Sequence, residues 1–221
     1  MTGAAELIAN IQMELEPINQ KIINHRYLTA LEKGEVKRES LTVFAAQQYH
    51  IIGSDLRSIA LLMARHGDLP SRAYLLDMLL GENAAAGALP KFARAFGMSD
   101  EELSASQPIP EAFAYSAFVA WLGLYGSDAE LAAAFQVNLA AWGANCRRMS
   151  GALRGRFALE AEAVSFFDLF ANLPPRSDAA AVVVQHGLHR GIAAASIARA
   201  ARLLQGYELL FWESIAQEAA V

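Results

Sequence analysis

Apolar residues recur at helical spacing along almost the whole chain, and the alternating pattern of half-buried strands is missing. Glycine, proline and residues that favour helix starts divide this pattern into segments. The spacing predicts helices over residues 18–33, 40–66, 71–81, 90–97, 112–125, 128–149 and 155–172, a capping-box start at Ser99, and two helices in 177–218 broken near 187–191. Since no polar linker separates these segments, we predict one all-α domain over residues 1–221.

Polar side chains that interrupt the apolar stripes are the most informative positions. In the last predicted helix, Leu204, Glu208, Phe211 and Ile215 follow one another at the spacing of successive turns and therefore share one face. Glu208 is thus expected to point inward. Burying an ionised carboxylate alone costs several kcal/mol, roughly, so such a group is paired with a cation, protonated or directed into a polar pocket.

Three other predicted helices carry inward polar residues of the same kind. Gln48 follows Leu41 and Phe44 on one face, with Asp55 two turns further along, while Asn138 and Tyr115 lie on stripes of the two central helices. Four long helices with converging polar groups are typical of a small-molecule cavity inside an apolar wall. The alternative for each residue is an ordinary hydrogen bond in the core, or for Glu208 an ion pair with Arg199 or Arg202.

Composition and charge exclude several classes of partner. The chain has 18 Lys and Arg against 23 Asp and Glu, a net charge of -5, and no basic cluster, so a nucleic-acid partner is not expected. Its apolar runs are too short to cross a membrane, and the N-terminus lacks the pattern of a signal peptide. A single cysteine, Cys146, suits a reducing cytoplasm. An apolar content of 54% favours a buried subunit interface, and we expect a homodimer or homotetramer.

Several segments resemble the TenA and PqqC group of haem-oxygenase-like proteins. The C-terminal stretch Tyr207–Glu213 (YELLFWE) is similar to the signature in which a glutamate faces the active site. The segments 25–28 (HRYL), 44–49 (FAAQQY) and 108–115 (PIPEAFAY) follow the family in the same order. The resemblance covers most of the chain, fits least well over 165–190, and implies a haem-oxygenase-like helical bundle with a pocket between the long helices.

The resemblance also implies roles for individual residues. Glu208 corresponds to the family's catalytic acid/base, and Tyr115 to its pocket tyrosine. Gln48 stands where TenA thiaminases have an aspartate, Asn138 where they have the nucleophilic cysteine, and Trp142 where they have a second tyrosine. Asparagine cannot replace a thiolate nucleophile.

His50 and Cys146 lie close in sequence to these residues. His50 follows the 44–49 segment, as in some relatives, and we expect it at the edge of the pocket. Cys146 lies about 80° around the helix from Asn138, so we assign it a structural role and not that of the missing nucleophile.

A second branch of the same group contains di-metal oxidases, and this chain departs from their ligand pattern. Phe170, Pro174 and Ser177 stand where ligands are expected, and no histidine follows Glu82, which could occupy an early ligand position. A lone glutamate does not make a transition-metal site. We therefore predict no metal and no cofactor.

The sequence leaves three functions in order of preference. The first is TenA-like binding and hydrolysis of a small heteroaromatic compound, related to aminopyrimidine or thiamine, through Glu208 and without a cysteine nucleophile. The second is a non-catalytic ligand-binding or regulatory protein that kept the pocket, since the family's cysteine, aspartate and metal ligands are all absent together. A metal-dependent oxidase is the third.

Overall fold

The computed structural model describes residues 3–173 and 177–221. Within them lie ten helices: α1 (Ala4–Ile23), α2 (Arg26–Lys33), α3 (Ser40–Arg65), α4 (Ser71–Ala95), α5 (Asp100–Ala105), α6 (Pro110–Tyr125), α7 (Asp128–Phe157), α8 (Ser165–Ala171), α9 (Ser177–His189) and α10 (Ala194–Glu218). The described residues contain no strand and share one hydrophobic core. The prediction of a single all-helical domain is confirmed.

The N-terminal region contains two helices where the sequence predicts one. The predicted helix 18–33 is wrong, because α1 ends at Ile23 and α2 begins at Arg26. The Nδ1 atom of His25 accepts a hydrogen bond from the backbone N–H of Tyr27 at 3.3 Å and so caps α2. Histidine is an uncommon N-cap residue, so the sequence gives little warning of this break.

Helix α4 runs without interruption through two residues that predict its end. Both the predicted stop near Gly81 and the predicted separate helix from Pro90 are wrong. Leu75 and Met78 on one side of Gly81, and Ala85 and Leu89 on the other, are all buried in the core. Packing of a continuous apolar face outweighs the low helix propensity of one glycine, about 1 kcal/mol relative to alanine.

The region around residue 155 also differs from the prediction. Helix α7 starts at residue 128, as predicted, after a capping box formed by Ser127 and Glu130, but it continues to Phe157. Ala158 then has a positive φ of 51° and ends the helix, and α8 begins only at Ser165. The predicted continuous helix 155–172 is therefore wrong, while the two prolines that follow it, at 174 and 175, lie outside the described residues. The two predicted C-terminal helices are confirmed as α9 and α10.

Two glycines allow the helices around the core to approach closely. A Cβ atom on Gly123 of α6 would lie 2.9 Å from the backbone oxygen of Ser58 in α3. A Cβ atom on Gly143 of α7 would lie 3.0 Å from the backbone oxygen of Phe170 in α8. A larger residue at Gly123 would require a shift of the backbone, and one at Gly143 would make a contact tighter than most real Cβ contacts.

Candidate active site

An internal cavity lies where helices α3, α4, α6, α7, α8 and α10 meet. It is lined by the polar residues Gln48, Asp55, Glu82, Tyr115, Asn138 and Glu208 and by the apolar residues Ile51, Ile52, Leu139, Trp142, Phe170 and Phe211. The cavity has a volume of ≈ 40 Å³. Since one water needs about 10–15 Å³ on this measure, the cavity suits a few waters or a compact ring and not a large polycyclic ligand.

Glu208 extends from α10 into this cavity and is only 4% exposed. Its carboxylate Oε1 accepts a hydrogen bond from the indole Nε1–H of Trp212, one turn further along α10, at 2.7 Å. Burial raises the pKa of Glu208 to about 7, and hydrogen bonds with Trp212 and Asn138 lower it only in part. A carboxyl group with this pKa exchanges a proton readily near neutral pH, as a general acid or base must.

The ion-pair alternative for Glu208 is not what the structure shows. The guanidinium of Arg202 binds Glu14 at 2.8 Å, and that of Arg199 donates to the Ser196 hydroxyl at 3.4 Å. No salt bridge within the described residues involves Glu208. Its charge is therefore without compensation from a basic side chain.

A chain of hydrogen bonds fixes the polar wall opposite the apolar residues. The Tyr115 hydroxyl donates to Asn138 Oδ1 at 3.1 Å, and Asn138 Nδ2 donates to Gln205 Oε1 at 2.9 Å. All three side chains are buried. Because Gln205 accepts from Asn138, the amide of Asn138 is held in one orientation, and the Tyr115 hydroxyl is held at the cavity wall.

Gln48 and Trp142 complete the predicted set that the cavity brings together. Gln48 is 4% exposed and lines the cavity from α3. The ring of Trp142 lies parallel to that of Phe44, with a centroid separation of 6.3 Å, and edge-on to Phe211 at 6.2 Å. This aromatic packing gives the cavity a rigid, flat wall.

His50 does not lie in this cavity, contrary to the expectation that it stands at the pocket edge. Its Nε2 atom lies 2.9 Å from the backbone oxygen of Ser106, outside the cavity lining. The physical reason is helical geometry: two residues along α3 from Gln48 correspond to a rotation of about 200°, which carries His50 to the other side of the helix.

Two cavity residues were missed as binding residues at the sequence level. Asp55, seven residues after Gln48, was noted only as inward-facing, and Glu82 only as a possible metal ligand. Asp55 is 3% exposed and its Oδ1 atom has no hydrogen-bond partner in the described structure. Glu82 lies four residues after the buried Met78, a spacing that places both on one face of a helix. The sequence reveals this only if α4 is known to continue across Gly81.

The donor set of the cavity does not form a metal centre. Across residues 3–173 and 177–221, no group of three or more His, Cys, Asp or Glu side chains is placed to hold a metal ion. Phe170 lines the cavity with an apolar ring, and Pro174 lies outside the described residues. The absence of a metal and of a cofactor stays a prediction.

Cys146 is fully buried in α7 and does not line the cavity. Burial raises the pKa of its thiol well above the usual range, and the nearby Glu208 raises it further. A thiol in such surroundings stays protonated and is a poor nucleophile.

Among the described helices, none has both the length and the hydropathy to cross a membrane.

Comparison with curated proteins finds partial relatives. The chain is 30% identical over 126 residues to a protein of Chlamydia muridarum named 4-aminobenzoate synthase, a match covering 54% of this chain and 53% of that protein. A protein of the same name from Chlamydia trachomatis is 30% identical over 115 residues, covering 50% of each. The chain thus matches these curated relatives over only about half of their length.

Solved structures show the same fold over nearly the whole chain. A TenA homologue from Pseudomonas syringae pv. tomato superposes with a TM-score of 0.80 at 15% identity, covering 95% of this chain and 92% of the other. A TenA homologue from P. horikoshii OT3 gives 0.78 at 16% identity, covering 96% and 99%. A Shewanella denitrificans domain of unknown function, described as having a heme oxygenase-like fold, gives 0.76 at 14%, covering 95% and 92%.

These superpositions confirm the predicted haem-oxygenase-like bundle. The family model described as TENA/THI-4/PQQC matches residues 12–169, which is most of the chain and includes five of the six polar cavity residues. The chain belongs to the TENA/THI-4/PQQC family.

Proposed function

We propose that this protein binds a small amino-substituted heteroaromatic compound in the cavity and hydrolyses an exocyclic C–N bond of that compound, with Glu208 as the acid/base. The observation that carries the proposal is the position of Glu208: a buried carboxyl group with a pKa of about 7, held by Trp212 and facing an internal cavity. Perturbed carboxyl groups in a cavity are frequent in enzyme sites.

The proposed step moves one proton twice. The Glu208 carboxylate takes a proton from a water molecule while the water oxygen forms a bond to the carbon that bears the amine. The C–N bond breaks, and Glu208 returns the proton to the leaving nitrogen, so that an alcohol and a free amine result. Such proton transfer by one positioned group contributes about 10²–10⁴-fold to rate.

The remaining cavity residues have binding roles in this proposal. Tyr115 and Gln48 offer hydrogen bonds to ring nitrogens and amino groups, and the flat face of Trp142 stacks on the ring. Asn138 shapes the wall and holds Tyr115, and it takes no covalent part. His50 has no role in the proposal, since it lies outside the cavity.

Incubation with a panel of aminopyrimidines and thiamine, followed by mass spectrometry of the products and an ammonia assay, tests the proposal. We expect a hydrolysis product from the wild-type protein and about 100-fold less from Glu208→Gln, which keeps the shape and removes the acid/base. Glu111→Gln, which alters an exposed carboxylate of α6, serves as the matched control and should keep full turnover. Absence of both turnover and binding across the panel contradicts the proposal.

The second candidate is a binding protein without catalysis. It is favoured by one observation, namely that Asn138 stands at the position where the family's thiaminases have their nucleophile. In that case the wild type binds an aminopyrimidine, Glu208→Gln loses the binding, and no product forms from any compound of the panel. This outcome would assign the cavity to ligand sensing or transport.

A further inference from the structure

We propose that Asp55 and Glu82 form a second acidic subsite in the cavity, which binds a second nitrogen-bearing group of the same ligand that Glu208 holds. The inference rests on the proposed function and narrows its substrate class to planar compounds with two basic or N–H-donating nitrogen groups. Throughout, "acid pair" means these two side chains, Asp55 from α3 and Glu82 from α4.

The first observation is an acceptor without a donor. Asp55 is 3% exposed and lines the cavity, yet its Oδ1 atom has no hydrogen-bond partner. Buried polar atoms in native proteins are nearly always satisfied, so an unpaired oxygen on a cavity-lining carboxyl group is available to a donor. A ligand N–H group in the cavity is such a donor.

The second observation is the proximity of Glu82, which lines the same cavity as Asp55. Burial raises the pKa of Asp55 well above its usual range, and the neighbouring Glu82 raises it further. Burial likewise raises the pKa of Glu82 to about 7. Ionised Glu82 disfavours ionisation of Asp55, and a cationic or N–H-donating ligand group between the two favours it.

The third observation is the lack of a cation in the protein itself. The lining contains three carboxyl groups and no Lys, Arg or His. None of the salt bridges formed by residues 3–173 and 177–221 involves any of the three. Protonation of these carboxyl groups or a positive group of the bound compound compensates for their charge, and a compound with its own carboxylate is disfavoured by repulsion.

The acid pair and Glu208 reach the cavity from different helices. Asp55 lies on α3 and Glu82 on α4, whereas Glu208 lies on α10. Tyr115, on α6, lines the same cavity, and burial, Asp55, Glu208 and Glu82 all raise its pKa. We expect a single ring in the cavity to place one nitrogen group at Glu208 and another at the acid pair.

The test compares two probes that differ by one amino group, 4-aminopyrimidine and 2,4-diaminopyrimidine, by isothermal titration calorimetry. We expect the wild type to bind the diamino probe about tenfold more tightly, the effect of one added hydrogen bond to a charged group. Asp55→Asn and Glu82→Gln should each remove this preference and leave the affinity for 4-aminopyrimidine within about threefold. If one variant does not fold, the other carries the test, and Glu111→Gln is the surface control.

The outcomes separate this inference from the proposed function. A wild type that binds both probes equally, with binding lost in Glu208→Gln, overturns the acid pair and leaves the proposed function standing. A preference that persists in both acid-pair variants also overturns it. A preference that depends on the acid pair but not on Glu208 supports the subsite and contradicts the role of Glu208. No binding of either probe, or tighter binding of 4-aminobenzoate, contradicts both.

Discussion

The molecule buries carboxyl groups in two regions, at the start of α7 and in the cavity. Their surroundings lower the carboxyl pKa in the first region and leave it raised in the second. Asp128, at the start of α7, is fully buried and accepts hydrogen bonds from the Ser71 hydroxyl and the Arg190 guanidinium, while the ring of His66 lies 3.8 Å away. Burial raises its pKa, but Ser71, Arg190 and His66 outweigh burial and the pKa is lowered. Asp128 is thus a charged group that links the start of α7 to α4 and to the turn after α9.

The cavity carboxyl groups have no such partners. Glu208 has only the neutral side chains of Trp212 and Asn138 as hydrogen-bond partners, and Asp55 has an oxygen without a donor. For Glu208 and Glu82 burial raises the pKa to about 7. The partners of a buried carboxyl group, and not burial itself, therefore decide its role. A group with charged partners is structural, and one without them is available to a ligand or a proton.

The largest expected effect is on Asp128. In Asp128→Asn the amide has the same shape but loses its charge, and Arg190 loses its anionic partner. We expect the free energy of unfolding at pH 7 to fall by about 2–3 kcal/mol, discounted for the partial exposure of Arg190. Urea unfolding followed by circular dichroism measures the change. An unchanged midpoint would show that the charge of Asp128 does not stabilise the fold.

A smaller effect follows from removing the cation instead. Arg190→Gln leaves Asp128 with Ser71 and His66, so we expect a loss of about 1–2 kcal/mol in the same assay. The double variant with Asp128→Asn should lose less than the sum of the two single losses, because both remove one interaction. Strict additivity would contradict the pairing.

Within the cavity, Tyr115→Phe removes the hydroxyl that donates to Asn138. The Oδ1 atom of Asn138 loses this donor, and we expect a loss of about 1 kcal/mol in the free energy of unfolding. Affinity for an aminopyrimidine should fall by about threefold to fivefold. Tyr125→Phe, at an exposed tyrosine of α6, is the matched control and should change neither quantity.

The smallest effect is expected at the single cysteine. Because Cys146 is buried away from the cavity, Cys146→Ala should change the turnover of any accepted substrate by less than about twofold, within the range of a residue that makes no catalytic contact. A loss of activity at an unchanged unfolding midpoint would instead give the thiol a part in the chemistry.

The sequence predicts the long helices and most of the cavity because both follow from helical periodicity. Gln48, Tyr115, Asn138 and Glu208 are the polar residues on apolar stripes. The structure brings these four to one cavity together with Trp142, which lies on the same stripe as Asn138. Periodicity is a local property of the sequence, so it can be recognised without knowing how neighbouring helices pack.

The misses have a physical cause that local patterns do not contain. A helix end predicted at Gly81 leaves Glu82 outside the apolar face of α4. In the structure, tertiary packing keeps α4 continuous across that glycine. The break at His25 depends on a side-chain cap, and the end of α7 on the left-handed conformation of Ala158. The position of His50 depends on a rotation of two residues around α3, which resemblance alone does not resolve.

The most direct test of the central claim is the stability of Glu208→Gln relative to wild type at pH 5 and at pH 8. A raised folded pKa stabilises the folded protein at acid pH, and this stability is lost as the pH rises from 4.5, the ordinary pKa of glutamate, through about 7, the pKa of Glu208 in the folded protein. The variant lacks this dependence, so its stability relative to wild type should increase by about 2–3 kcal/mol between the two pH values, at about 1.4 kcal/mol per pKa unit. A difference that stays constant with pH would mean that Glu208 is compensated like Asp128, and would contradict the account.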